Sequence, residues 1–157
     1  MTVDTRPWGQ LSTPGPARLA AVAGHAERPY VDGVRIGPHA DGRSVYRDDA
    51  QLVSHLDSSL RSASGAGADV RAEALGDLLQ AARLTASTAV QDARTTLRAD
   101  FDDPAGSAAS AELDQGQRDL ARAHDALRKG LPVAAVTHFG HAWQRGVNAL
   151  AHVGRDL

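Results

Sequence analysis

Residues 120–143, LARAHDALRKGLPVAAVTHFGHAW, contain a helix end, a turn and a helix start that can be read one residue at a time. Arg128 and Lys129 place positive charge where a helix leaves its last carbonyls unpaired. Gly130 can adopt the left-handed conformation just past the cap, and Leu131 follows it as the apolar residue that closes such an end. Pro132 then opens a second helix, because a proline in the first turn lacks only an N–H that would have had no partner. The stretch predicts a helical hairpin.

Working outward, the same periodicity extends in both directions. A helix from about 108 to 129 turns Leu113, Gly116, Leu120, Ala123 and Leu127 inward, with Glu112 and Asp114 near its positive end. A helix from Pro132 to about Val153 buries Val136, Phe139, Trp143, Val147 and Leu150, and Trp143 is expected to anchor the core. Gly140, Ala142, Gly146 and Ala149 interleave with those large side chains and let a neighbouring backbone come close. Upstream, Leu75, Leu78, Leu79, Ala82, Ala86, Ala89, Val90, Ala93, Leu97 and Phe101 recur in steps of three and four, which predicts a long helix over about 69–100. Asp48, with Gln51 three residues on, predicts the start of a first helix over about 49–62 that buries Leu52, Val53, Leu56 and Leu60. SASGAGA (62–68) and DDPAGS (102–107) read as loops.

Residues 1–47 have a different character, with five of the seven prolines and the pairs Asp32-Gly33 and Asp41-Gly42. They predict a mostly irregular arm. Residues 16–26 could form a short helix, while Tyr30-Val31 and Val34-Arg35-Ile36 flank a tight turn, and Ser44-Val45-Tyr46 could add a third short strand. The fold class expected is therefore all-α: an antiparallel bundle of about four helices in residues 48–157, preceded by this irregular N-terminal arm in residues 1–47.

Composition narrows the function classes. A chain of 157 residues is one domain's worth. Only 4% of it is aromatic, so the core must be built from Leu, Val and Ala. Seventeen basic residues against nineteen acidic ones, without a basic run, argue against nucleic acid as a partner. The absence of cysteine rules out disulfides, thiolate nucleophiles and Cys-based metal sites. The opening MTVDTRPWGQLSTPGP has no signal-peptide run and no apolar stretch could span a bilayer, so no membrane partner is expected. The expected location is cytoplasmic if Met1 is the native start, and extracellular if the chain is a fragment.

Half of the chain, from Leu78 to Leu150, resembles the all-helical accessory modules (FIMAH-like) of multidomain secreted bacterial proteins. The likeness is carried by Leu78, Leu79, Arg83, Leu84, Thr88, Ala89 and Asp92 in one helix, and by Leu127, Gly130, Ala135, Phe139, Ala142 and Trp143 in the hairpin. Gly130, Ala135, Phe139 and Ala142 also match the spacing of one tetratricopeptide-like unit. Both resemblances rest on packing positions, and they imply a non-catalytic spacer or interaction element with no cofactor.

Three constellations bear on chemistry. His138 and His141 share a face of the last helix, and His124 stands at similar height across the turn, which makes a three-histidine metal site conceivable. Metal-binding bundles usually add inward glutamates, often as Glu-x-x-His, and this chain has none, so histidines satisfied within the structure are the commoner reading. His25, His39, Asp32, Asp41 and Ser44 can be assembled on paper into a Ser-His-Asp set, without the nucleophile-elbow motif that would give it meaning. Asp48-Asp49 and Asp102-Asp103 read as helix-start carboxylates, and Gly65 and Gly67 as linker residues.

The functional expectation is a non-catalytic helical protein-interaction or structural accessory module. Trp8 is a candidate anchor for a partner, and the Gly140 and Gly146 face a candidate site for another helix, from a partner protein or a second copy. The alternative is a small metal-binding or metal-dependent helical protein using His124, His138 and His141.

Overall fold

The structure, a computed structural model, describes residues 30–31, 35–36, 41–62, 64–97 and 104–154. Two short strands, β1 (Tyr30–Val31) and β2 (Arg35–Ile36), precede four helices: α1 (Gly42–Leu60), α2 (Ala66–Thr96), α3 (Pro104–Arg128) and α4 (Pro132–His152). The helices pack on one another as an antiparallel bundle. The 16–26 helix, the turn at Asp32-Gly33 and Phe101 fall outside the described residues.

The α3–α4 turn forms as its residues dictate. Gly130 takes φ +68°, the Leu131 N–H donates to the Ala126 carbonyl at 2.9 Å, and the Gly130 N–H donates to the Leu127 carbonyl at 3.0 Å. This double bond pattern closes a helix end with a left-handed residue, and Pro132 begins α4 immediately afterwards. Leu131 itself stays 52% exposed, so its apolar contact is only partial.

The first helix starts earlier than the sequence reading placed it. Asp41 is the cap: its carboxylate accepts from the Arg43 N–H at 3.0 Å, and α1 runs from Gly42. The proposed cap at Asp48 and the third strand at Ser44-Val45-Tyr46 are therefore both corrected to helix interior. The physical reason is tertiary. Gly42 lies under the Trp143 ring, where a Cβ would collide with it, and the Tyr46 hydroxyl donates to the Ala82 carbonyl at 3.2 Å. Asp48 and Asp49 accordingly sit within α1, with Asp49 buried. Helix α2 also begins before its expected start, after Gly65 at φ +64°, and α3 begins at Pro104.

Contacts fix the directions of the helices. Gly42 meets Trp143 and Gly140 meets Tyr46, so α1 runs against α4. Glu112 meets Arg145 and His124 meets Phe139, so α3 does too. Gly140 reaches Tyr46, whose hydroxyl reaches Ala82, while Gly146 meets Ala89, so α2 runs parallel to α4. Helix α4 touches all three others.

The core follows from this arrangement. Ala82, Ala86, Ala89 and Ala93 of α2 are buried in one apolar cluster with Val136, Phe139, Ala142, Ala149 and Leu150 of α4 and with Leu97, and Gly146 of α4 lies directly against the Ala89 backbone. Alanine and glycine let the α2 and α4 backbones approach, at the expense of apolar area per residue. Leu52 and Leu56 of α1 pack separately with Ala74, Leu75 and Leu78 of α2. The β1–β2 pair is antiparallel, with Tyr30 opposite Ile36. It is held to the bundle by buried Ile36 and by an Arg35–Asp92 ion pair at 2.8 Å.

Candidate functional site

The interhelix face expected at Gly140 and Gly146 exists, but its occupants belong to this same chain. A Cβ on Gly140 would lie 2.9 Å from Tyr46 of α1, and one on Gly146 would lie 2.9 Å from the backbone of Ala89 in α2. These glycines accommodate α1 and α2 within the bundle. Trp8 lies outside the described residues, as do His25, His39 and Asp102-Asp103. The hydroxyl of Ser44 donates to the Asp41 carbonyl at 2.7 Å, which makes both residues part of the α1 cap.

The three histidines separate. His124 on α3 meets Phe139 edge-on, with ring centres 5.8 Å apart, so the expected match in height across the hairpin holds. His138 and His141 pair with each other instead, with ring centres 6.0 Å apart at an interplanar angle of 77°. His138 Nδ1 is shielded from solvent and has no hydrogen-bond partner. Among the described residues no group of three or more His, Asp or Glu is placed to hold a metal ion, so His124, His138 and His141 do not form a three-ligand set in this structure.

The densest polar constellation lies between α3 and α4, and the sequence reading missed it. Glu112, Gly116 and Asp119 recur at steps of four and three on one face of α3, facing Arg145. Arg145 Nη1 donates to Glu112 at 3.0 Å, and its Nε lies 4.0 Å from buried Asp119. Arg122 donates to the Asp119 carboxylate at 2.9 Å, and the Gln115 amide donates to the same oxygen at 3.4 Å. The absence of a side chain at Gly116 leaves room for the Arg145 stem, whose Cβ would otherwise be 3.2 Å from a Cβ there. Because Arg145 remains 39% exposed, each pair contributes at most about 1 kcal/mol. The network spans the α3–α4 contact at the height of Gly116. An i, i+7 carboxylate pair flanking a glycine, with one arginine at the matching height, is the signal that could have revealed it.

A second electrostatic feature sits at the end of α3. Asp125 has its pKa held below the ordinary aspartate value, first by a hydrogen bond from Lys129; desolvation opposes this, and the Lys129 charge and Arg128 add to the lowering. The Lys129 ammonium is 2.6 Å from one Asp125 oxygen and the Arg128 guanidinium 3.1 Å from the other. These cations offset the unfavourable placing of a carboxylate at the negative end of a helix.

Apolar surface is concentrated differently. Leu131 and Val133, at the α3–α4 turn, are exposed large aliphatic residues, with half-buried Leu127 and Ala134 nearby in sequence. Leu84 on α2 is also exposed. No described helix is long and apolar enough to cross a membrane. No family model matches the sequence, and no curated protein or solved structure is significantly similar to it.

Proposed function

We propose that this chain is a non-catalytic helical module that acts by binding another protein or by supporting a larger assembly. The observation that carries the reading is the use made of its polar side chains. Asp119 and Arg145 join α3 to α4, Tyr46 ties α1 to α2, buried Thr85 donates to its own helix at the Ala81 carbonyl, and Asp41 with Ser44 caps α1. Each of these groups has a structural partner within the bundle. The resemblance to FIMAH-like accessory modules, which is carried on packing positions, supports the same reading.

The surface that suits such a role is the α3–α4 turn. Leu131 and Val133 put two aliphatic side chains into solvent on a rigid, glycine-closed corner, the kind of preordered apolar feature that a partner can cover without ordering a loop. The test is photo-crosslinking in the native cell with a reactive side chain placed at position 131, beside a control at the exposed polar position Gln80. A discrete adduct at 131 that disappears in a Val133→Glu background, while the bundle's helical circular dichroism is unchanged, is the expected result. Equal labelling at both positions, or none at 131, would refute the interaction reading.

A further inference from the structure

We propose that His138 and His141 form a two-histidine binding site for a divalent ion of the zinc class on the face of α4, with His124 outside it. This inference is independent of the interaction reading above. The two rings are three residues apart on one helix and already neighbours, with centres 6.0 Å apart, and at 77° they meet edge to face without stacking. A tetrahedral zinc ion bound to two imidazole nitrogens at about 2.0–2.1 Å holds the ring centres about 5.2 Å apart. The rings therefore need to close by less than about 1 Å, which side-chain rotation supplies without moving the helix.

Two further observations favour a ligand here. His138 Nδ1 is shielded from water and hydrogen-bonds to nothing, and an ion or an ordered water is among the partners that satisfy a buried polar atom in that condition. His141 is exposed and makes no hydrogen bond to a described residue, so its nitrogens are free to coordinate. His124 differs because its ring rests against Phe139. With two protein ligands, the remaining coordination positions belong to water. Such a site is a surface chelate, weaker than a closed structural zinc site.

The experiment uses the full, untagged chain, since a histidine tag would compete for the metal. Zinc chloride is titrated by calorimetry while the histidine ring signals are followed by NMR. One ion is expected to bind per chain, shifting the His138 and His141 ring signals and leaving the His124 signal in place. His138→Ala and His141→Ala should each weaken binding by at least about ten-fold, and His124→Ala should bind as the unaltered chain does. Alanine favours a helix, so unchanged circular dichroism establishes that these variants keep their fold. The proposal is overturned by the absence of saturable binding up to about 1 mM zinc. It is equally overturned by binding that survives both single variants, or by a loss with His124→Ala equal to theirs.

Discussion

Alanine in place of glycine should have opposite effects at two helical positions of this molecule. At Gly76, on the exposed side of α2, a Cβ meets nothing within 4 Å, so Gly76→Ala gains only the helix preference of alanine, about 1 kcal/mol. At Gly146 the same gain applies, but the new Cβ would stand 2.9 Å from both the carbonyl carbon and oxygen of Ala89, and 3.2 Å from the Val90 nitrogen. All three are backbone atoms of α2 and cannot rotate aside. Relief requires α2 and α4 to separate by about 0.5 Å at the seam where Gly146 faces the Ala89 and Val90 backbone, and overpacking of this kind costs about 1–3 kcal/mol. Because the preference term is common to both substitutions, the difference between the two variants isolates the seam. At about 3 °C per kcal/mol for a chain of this size, Gly76→Ala should melt about 3–9 °C above Gly146→Ala. Thermal unfolding followed by circular dichroism measures it. Equal midpoints would mean that α2 and α4 are not in backbone contact at this level, and the account of the core given above would fail.

Further outcomes follow from other positions. Phe139→Ala removes a fully buried ring at the meeting of α3 and α4 and should cost about 3–5 kcal/mol in urea unfolding. Gly130→Ala has space but must hold φ near +68°, so it should lose about 1–2 kcal/mol in thermal or urea unfolding, with Gly130→Asn losing less. Asp125 has a folded pKa below its unfolded one, so its contribution is present above the ordinary aspartate range and is lost as pH falls through the lower folded value. The midpoint of Asp125→Asn should therefore lie below that of the unaltered chain at neutral pH and converge with it in acid. A gap that persists at low pH would show that Lys129 and Arg128 do not act through the Asp125 charge.

What was legible in the sequence divides by range. The α3–α4 corner is encoded locally, by Lys129, Gly130, Leu131 and Pro132, and it forms at the expected residues. The start of α1 is not local. Val45 and Tyr46 favour a strand on intrinsic grounds, yet Tyr46 reaches Ala82 and Gly42 lies under Trp143, and those distant contacts settle the matter for helix. Periodicity did carry a warning, since Val45, Tyr46, Asp49, Leu52, Val53 and Leu56 share one helical face and all are buried. Gly140 and Gly146 were readable as places of close approach, but a sequence does not say which helix approaches. The histidines illustrate the remaining gap. Counting residues from the turn gives the height of His124 correctly, but the rotation of each helix about its axis decides that it meets Phe139 while His138 meets His141.

Helix α4 is made after the other three, and it is also the one against which all of them rest. A ribosome delivering this chain releases α1, α2 and α3 before their common support exists, so the oily sides of Ala86, Val90 and Leu113 stay wet until Phe139, Trp143 and Leu150 emerge. Maturation of the bundle is thereby deferred until α4 has been delivered, and the three helices made before it keep apolar surface in water during that interval.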